Sequence, residues 1–187
     1  MTISPPRLSI ADFKALLAQP QNRGKHLELV NGEVSEKMVS EVHGILVMYI
    51  GAMLLNHVLL HRLGRVTTEV HHHAPNASDT VYQPDIAFTR AERAHPPTEE
   101  AAVPQMPDLV VEVKTVSNTY RELRDKAAYY LAHGARLVWV VPPAKHLVEV
   151  YRADGDIDLL GEADHLDGGE VVPGFSLSIK AVFDALN

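Results

Sequence analysis

Cysteine is absent from all 187 residues. That removes disulfides, thiolate metal centres and cysteine nucleophiles, and it suits a reducing compartment. The chain also lacks a Gly-x-Ser-x-Gly elbow and a glycine-rich phosphate loop, so neither a hydrolase serine nor a P-loop carries its chemistry. Basic excess is missing: the formal charge is -7, whereas a general nucleic-acid coat protein would be positive over a whole face. An enzyme whose basic residues are confined to one cleft stays compatible with that charge. No basic n-region or small-residue cleavage site stands near Met1, and a cytoplasmic location is expected. Apolar runs reduce to Gly44 to Leu60, which is interrupted by Asn56 and His57 and flanked by His43 and His61. A membrane span needs about 20 predominantly apolar residues, so this reads as a buried helix and no membrane partner is expected. Because the run is apolar nearly all round, one side is left for a partner subunit, and a homodimer is expected.

What is present reads as an ordered series of short elements. Ser9 and Asp12 cap a helix to about Ala18, which Pro20 and Gly24 end. His26 to Val34 alternates around Asn31-Gly32, the strongest short hairpin signal. Ser40 and Glu41 open the long apolar helix, and Gly64 closes it. Arg65 to His73 and Val81 to Phe88 read as strands with a turn at Pro75 to Asp79, and Arg90 to Pro107 reads as a surface loop. Leu109 to Val113 is a strand, and Asn118 or Thr119 starts a helix with an apolar stripe of Tyr120, Leu123, Ala127, Tyr130 and Leu131. Leu137 to Val141 is a buried strand with the only tryptophan, Trp139. A polar hairpin (Leu147 to Tyr151, Ile157 to Leu160) and a helix over Ile179 to Leu186 follow. This order predicts one domain over residues 1–187, of α/β class, with a mixed α+β sheet flanked by helices and a right-handed parallel crossover from Leu109 to Val141.

Two segments carry chemistry. Gln83-Pro84-Asp85 and Val111-Glu112-Val113-Lys114 together read Pro-Asp, spacer, Glu-x-Lys. In a strand, side chains alternate at about 3.3 Å per residue, so Glu112 and Lys114 share a face, and Asp85 joins them if the strands are neighbours. Two carboxylates and an ammonium on one face are costly unless a cation or an anionic ligand compensates them. Two acids can hold Mg²⁺, with Mn²⁺ as its substitute, while a lysine offsets charge on a hydroxide or a phosphorane.

The Pro84-Asp85 strand, Pro107-Asp108-Leu109-Val110-Val111-Glu112-Val113, the helix with Lys126 and Tyr130, Gly134 with Trp139, and the Val172-Pro173-Gly174-Phe175-Ser176-Leu177 tail together resemble the Uma-two family. That family consists of restriction-endonuclease-like proteins within the PD-(D/E)XK nuclease superfamily, and the resemblance runs from about Leu27 to the end. It implies a restriction-endonuclease-like core and a Mg²⁺-dependent endonuclease acting on nucleic acid, with DNA the expected partner. By position it implies Asp85 and Glu112 as metal carboxylates, the Val113 carbonyl as a further ligand, Glu28, the acid of the first element, closing the metal shell, and Lys114 as the catalytic lysine. His43 matches a histidine early in the long helix. Relatives commonly have a small or apolar residue at the Lys114 position and a lysine on the next helix. This chain has both Lys114 and Lys126, and both are candidates.

Plainer readings stand beside these. Asp85 after proline suits a turn, Lys114 could pair with Glu112, and Lys126 lies four residues after Glu122, as in a surface helix pair. Glu28 could be an exposed hairpin residue. His57 and His61 have helical ligand spacing but no intervening glutamate, and His71 and His73 share a strand face; both pairs read as packing or surface residues. A nuclease-like fold without activity, serving as a binding or dimerisation module, is the alternative reading of the whole chain.

Overall fold

The computed structural model describes residues 7–187. Residues 1–6, where the absence of a leader pattern is read, lie outside the described residues. The elements are α1 (Ile10–Leu17), β1 (His26–Val30), β2 (Glu33–Lys37), α2 (Glu41–His61), β3 (Gly64–Thr68), β4 (Ile86–Arg90), β5 (Leu109–Val113), α3 (Tyr120–Ala132), β6 (Leu137–Val141), β7 (Val148–Arg152), β8 (Ile157–Leu160), β9 (His165–Asp167), β10 (Ser176–Ser178) and α4 (Ile179–Asp184). A six-stranded sheet runs in the order β3-β4-β5-β6-β7-β8. Only β5 and β6 are parallel, joined through α3; every other neighbouring pair is antiparallel. The expected mixed sheet flanked by helices is what forms.

Alternation along β5 decides which side chain faces which layer. Val111 and Val113 pack with Trp139 and the α2 stripe Leu46, Ile50, Leu54 and Val58 in one core. Val110 and its neighbours Val138 and Val140 meet Leu123, Ala127 and Tyr130 of α3 in the other. Glu112 is therefore directed to the α3 side. A third cluster joins Phe13 of α1 to Leu27, Leu29, Val81 and Ala102 and holds the β1–β2 hairpin against the body. Asn31 and Gly32 turn that hairpin with φ of 51° and 79°, the left-handed pair that a two-residue hairpin loop requires. At α3 the capping box is built by Thr119 and Glu122.

Departures from the sequence pattern have local causes. β3 stops at Thr68, short of His73, because Glu69 takes a left-handed φ of 56°. β4 starts at Ile86, not Val81, since Pro84 has no N–H for a ladder; Val81 and Tyr82 make isolated bridges to Leu29 and His72. α2 ends at His61 on a left-handed Arg62, before Gly64. The Arg90 to Pro107 segment is not simply surface: Ala102, Val103 and Met106 are buried. The hairpin expected to be polar has a buried first strand, β7. Nothing in the sequence pattern marks the small β9–β10 sheet.

Candidate active site

Strand register brings the two motif acids together. Ile86 pairs with Val111, so Asp85, one step earlier, lies beside Glu112. Asp85 and Glu112 are 4% and 0% exposed, and Glu28 from β1 is similarly buried. Asp85 Oδ2 accepts the Val113 N–H at 2.7 Å, which ties the Pro-Asp segment to β5. Its Oδ1 is bonded by the Lys37 ammonium and lies 3.3 Å from His43 Nε2. Glu112 Oε1 accepts the Tyr130 hydroxyl at 2.8 Å, and Lys126 Nζ stands 3.5 Å from both Glu112 oxygens. Glu28 Oε1 receives Lys126 Nζ at 2.6 Å and the Gln83 N–H at 2.9 Å. Lys126 also sits 5.2 Å from the centre of the Tyr82 ring.

The charges are balanced by contact rather than by solvent. Burial would raise the Asp85 carboxyl, but the hydrogen bond from His43 and the Lys37 ammonium outweigh it and hold Asp85 below the usual aspartate value. Burial raises Glu112, helped by the neighbouring Asp85 and Glu28 and opposed by Lys126 and Lys37. The adjacent acids are thus split, with Asp85 the stronger. Burial alone would lower Lys126, yet Glu112 and Glu28 keep its ammonium above the ordinary lysine value. A cleft of about 640 Å³, lined by Glu28, Lys37, Tyr82, Asn118 and Lys126, opens onto this cluster between the β1–β2 hairpin and α3.

Of the residues singled out in the sequence, Glu28, Asp85, Glu112, Lys126 and His43 meet here. The Val113 carbonyl is 3.2 Å from His43 Nδ1. Glu28 is not an exposed hairpin residue, and Lys126 is not the surface partner of Glu122: its ammonium goes to Glu28, while Glu122 closes the helix cap. Lys114 is not brought to the carboxylates. β5 ends at Val113, and the Lys114 ammonium turns to the Thr115 carbonyl at 2.9 Å and lies 5.3 Å from the centre of the Tyr120 ring. Two participants were not singled out as site residues. Lys37 is the one buried residue of β2, and nothing in its sequence context marks it. Tyr130 carried a usable signal, since it lies four residues after Lys126 on the same helix face.

Three of the histidines singled out in the sequence make local contacts instead of joining the cluster. His57 Nε2 is 2.9 Å from the Pro173 carbonyl, His71 Nε2 is 2.7 Å from the Leu27 carbonyl, and His73 Nδ1 is 2.9 Å from the Ala74 carbonyl. Among the described residues no three His, Asp or Glu side chains are grouped as a ready metal cage. Magnesium does not need one, since it commonly takes one or two carboxylates and keeps several waters. The donor set fits such a cation: two carboxylates and a carbonyl are all hard oxygens. Moreover, one cationic group already bridges the acids, because Lys37 Nζ contacts Asp85 Oδ1 and lies 3.7 Å from Glu112 Oε2.

Comparison with known proteins agrees with this arrangement at the level of family and fold. The family model described as "Uma2: Putative restriction endonuclease" matches residues 10–180. Among solved structures, the chain is similar to the crystal structure of a "putative nuclease belonging to DUF820" from Anabaena variabilis, with a TM-score of 0.77 and 21% identity, over 86% of this chain and 91% of that one. None of the curated proteins compared with the chain matches it.

Proposed function

The chain belongs to the Uma2 family, and on that premise we propose that it is a metal-dependent endonuclease whose Asp85, Glu112 and Val113 carbonyl hold Mg²⁺ or Mn²⁺ and hydrolyse phosphodiester bonds, with DNA the substrate class. The observation that carries this reading is the single ammonium of Lys37 seated between Asp85 and Glu112, which marks a position built for positive charge. A bound divalent ion supplies Lewis-acid polarisation of the phosphoryl oxygen and a lower pKa for its water. The chain's own residues do the rest. The Val113 N–H and the Tyr130 hydroxyl fix the two carboxylates in orientation. Lys126, held between Glu28 and Glu112, is a preorganised cation for charge on the phosphoryl oxygens. Glu28 positions Lys126 and closes the polar shell around it. Lys37 occupies that position and would yield it to a bound divalent ion.

Cleavage of an end-labelled DNA duplex in Mg²⁺ or Mn²⁺ tests the proposal. Wild type should cut, and Asp85→Ala and Glu112→Ala should fall to background. Either variant cutting at the wild-type rate overturns the assignment. One observation favours a second reading, a nuclease-like scaffold without activity: each carboxylate already has a partner from the chain. A protein that takes up no divalent ion would decide for it. A cytoplasmic homodimer completes the proposal, supported by the cysteine-free chain and by the apolar outer face of α2, where Met48 and Leu59 are 73% and 63% exposed.

A further inference from the structure

A second buried carboxylate lies in the same row of the sheet as Glu112. Glu112 pairs with Val140 and Val140 pairs with Glu149, so Glu112 and Glu149 point to the same face, two strands apart. At about 4.8 Å per strand that separation is about 10 Å. Glu149 is 3% exposed and accepts the Tyr151 hydroxyl at 2.5 Å. Two otherwise exposed cations converge on it: Arg124 Nε at 3.8 Å and Lys145 Nζ at 4.0 Å. Lys145 also lies 3.9 Å from the centre of the Tyr120 ring, the ring that Lys114 approaches at 5.3 Å. Lys114 has no carboxylate within ion-pair distance among the described residues, and Glu122 nearby is engaged by its own helix cap. Two ammoniums thus gather at one tyrosine, and one of them shares the Glu149 carboxylate with Arg124, on a chain whose formal charge is -7. Bringing like charges together is unfavourable unless an anion completes the group.

We propose that Lys114, Arg124 and Lys145, organised by Tyr120 and Glu149, form a binding site for the phosphodiester backbone to one side of the scissile phosphate. The inference rests on the nuclease reading and gives Lys114 a substrate-binding role away from the reacting atoms. Nucleic acid advances about 3.4 Å per nucleotide along each strand, so an offset of about 10 Å lies within roughly three nucleotides of the Asp85–Glu112 pair. With two ammoniums against its ring, Tyr120 is a platform for cations rather than a stacking surface for bases. The site therefore reads backbone charge and not sequence.

The test is fluorescence anisotropy with a labelled 20-base-pair DNA duplex and the matching single strand, in EDTA, across a salt series. Lys145→Ala and Lys114→Ala should each weaken binding, and the slope of log affinity against log salt should become shallower by about one for each cation removed. Lys180→Ala, on α4, serves as a control and should leave both unchanged. Thermal unfolding of each variant checks that the fold is retained. Wild-type affinity and slope in both cluster variants would overturn the inference while leaving the nuclease reading intact. A wild-type protein that binds neither probe would overturn both. Loss of binding in the cluster variants, in a protein that cuts nothing, would uphold this site and sink the nuclease reading alone.

Discussion

Replacing Lys37 with methionine isolates the cation that bridges the acids. Methionine keeps the unbranched stem and removes the ammonium that contacts Asp85 and stands 3.7 Å from Glu112. Both carboxylates are buried, so neither can recover the loss from water. Removing one partner of a buried ion pair typically costs about 3–5 kcal/mol. For a domain of this size each kcal/mol lowers Tm by roughly 2–4 °C, so Lys37→Met should melt about 6–20 °C below wild type. A divalent ion should reverse most of this, since it takes the place the ammonium held. At a concentration of about 100 Kd, binding to the folded state alone contributes about 2.7 kcal/mol. The ion no longer has to displace a lysine in the variant, so its affinity should exceed that of wild type. Thermal unfolding monitored by circular dichroism, with and without Mn²⁺, measures both effects. A Tm within about 2 °C of wild type, or a Mn²⁺ shift no larger than that of wild type, would mean that Lys37 does not hold a cation position between the acids.

Two further predictions concern the frame around the site. His72 is buried, donates from Nδ1 to the Gln105 carbonyl at 2.8 Å and leaves Nε2 without a partner, an arrangement suited to the neutral ring. Burial lowers its pKa from 6.5 to about 4. Because the folded value is depressed, its contribution is present above pH 6.5 and is lost as the pH falls towards 4, amounting to roughly 3 kcal/mol. An NMR titration should find His72 titrating near 4, and a midpoint near 6.5 would contradict this. On the outer face of α2, the double substitution Met48→Glu, Leu59→Glu should convert a dimer to a monomer by light scattering, since both side chains are exposed, apolar and on one side of the helix. An unchanged mass would remove α2 from the interface.

Much of the fold could be read from the chain because its signals were local. Asn31-Gly32 fixed a hairpin, Ser9 with Asp12 built a capping box, Thr119 was one of two candidates to open α3, and the apolar runs at Leu109 and Leu137 gave the buried parallel pair. The limits of β3 and β4 were harder to read, since they depend on the left-handed Glu69 and on the ladder bond that Pro84 cannot make. At the site, Asp85 and Glu112 were legible because a strand's alternation and the pairing of two neighbouring strands suffice to join them. Lys37 was not. It reaches the acids only through the packing of the β1–β2 hairpin on the body, a contact between residues 48 positions apart that no local pattern encodes. Lys114 shows the converse. Alternation would keep it on the Glu112 face, but the strand ends at Val113 and the side chain follows the loop to Tyr120.

The proposed site at Asp85 and Glu112 binds a divalent cation. Isothermal calorimetry with Mg²⁺ and Mn²⁺ on wild type and Asp85→Ala, at low salt and neutral pH, tests it most directly. Saturable binding in wild type that vanishes in Asp85→Ala is the predicted result. Wild type without binding, or a variant that binds as wild type does, would contradict it.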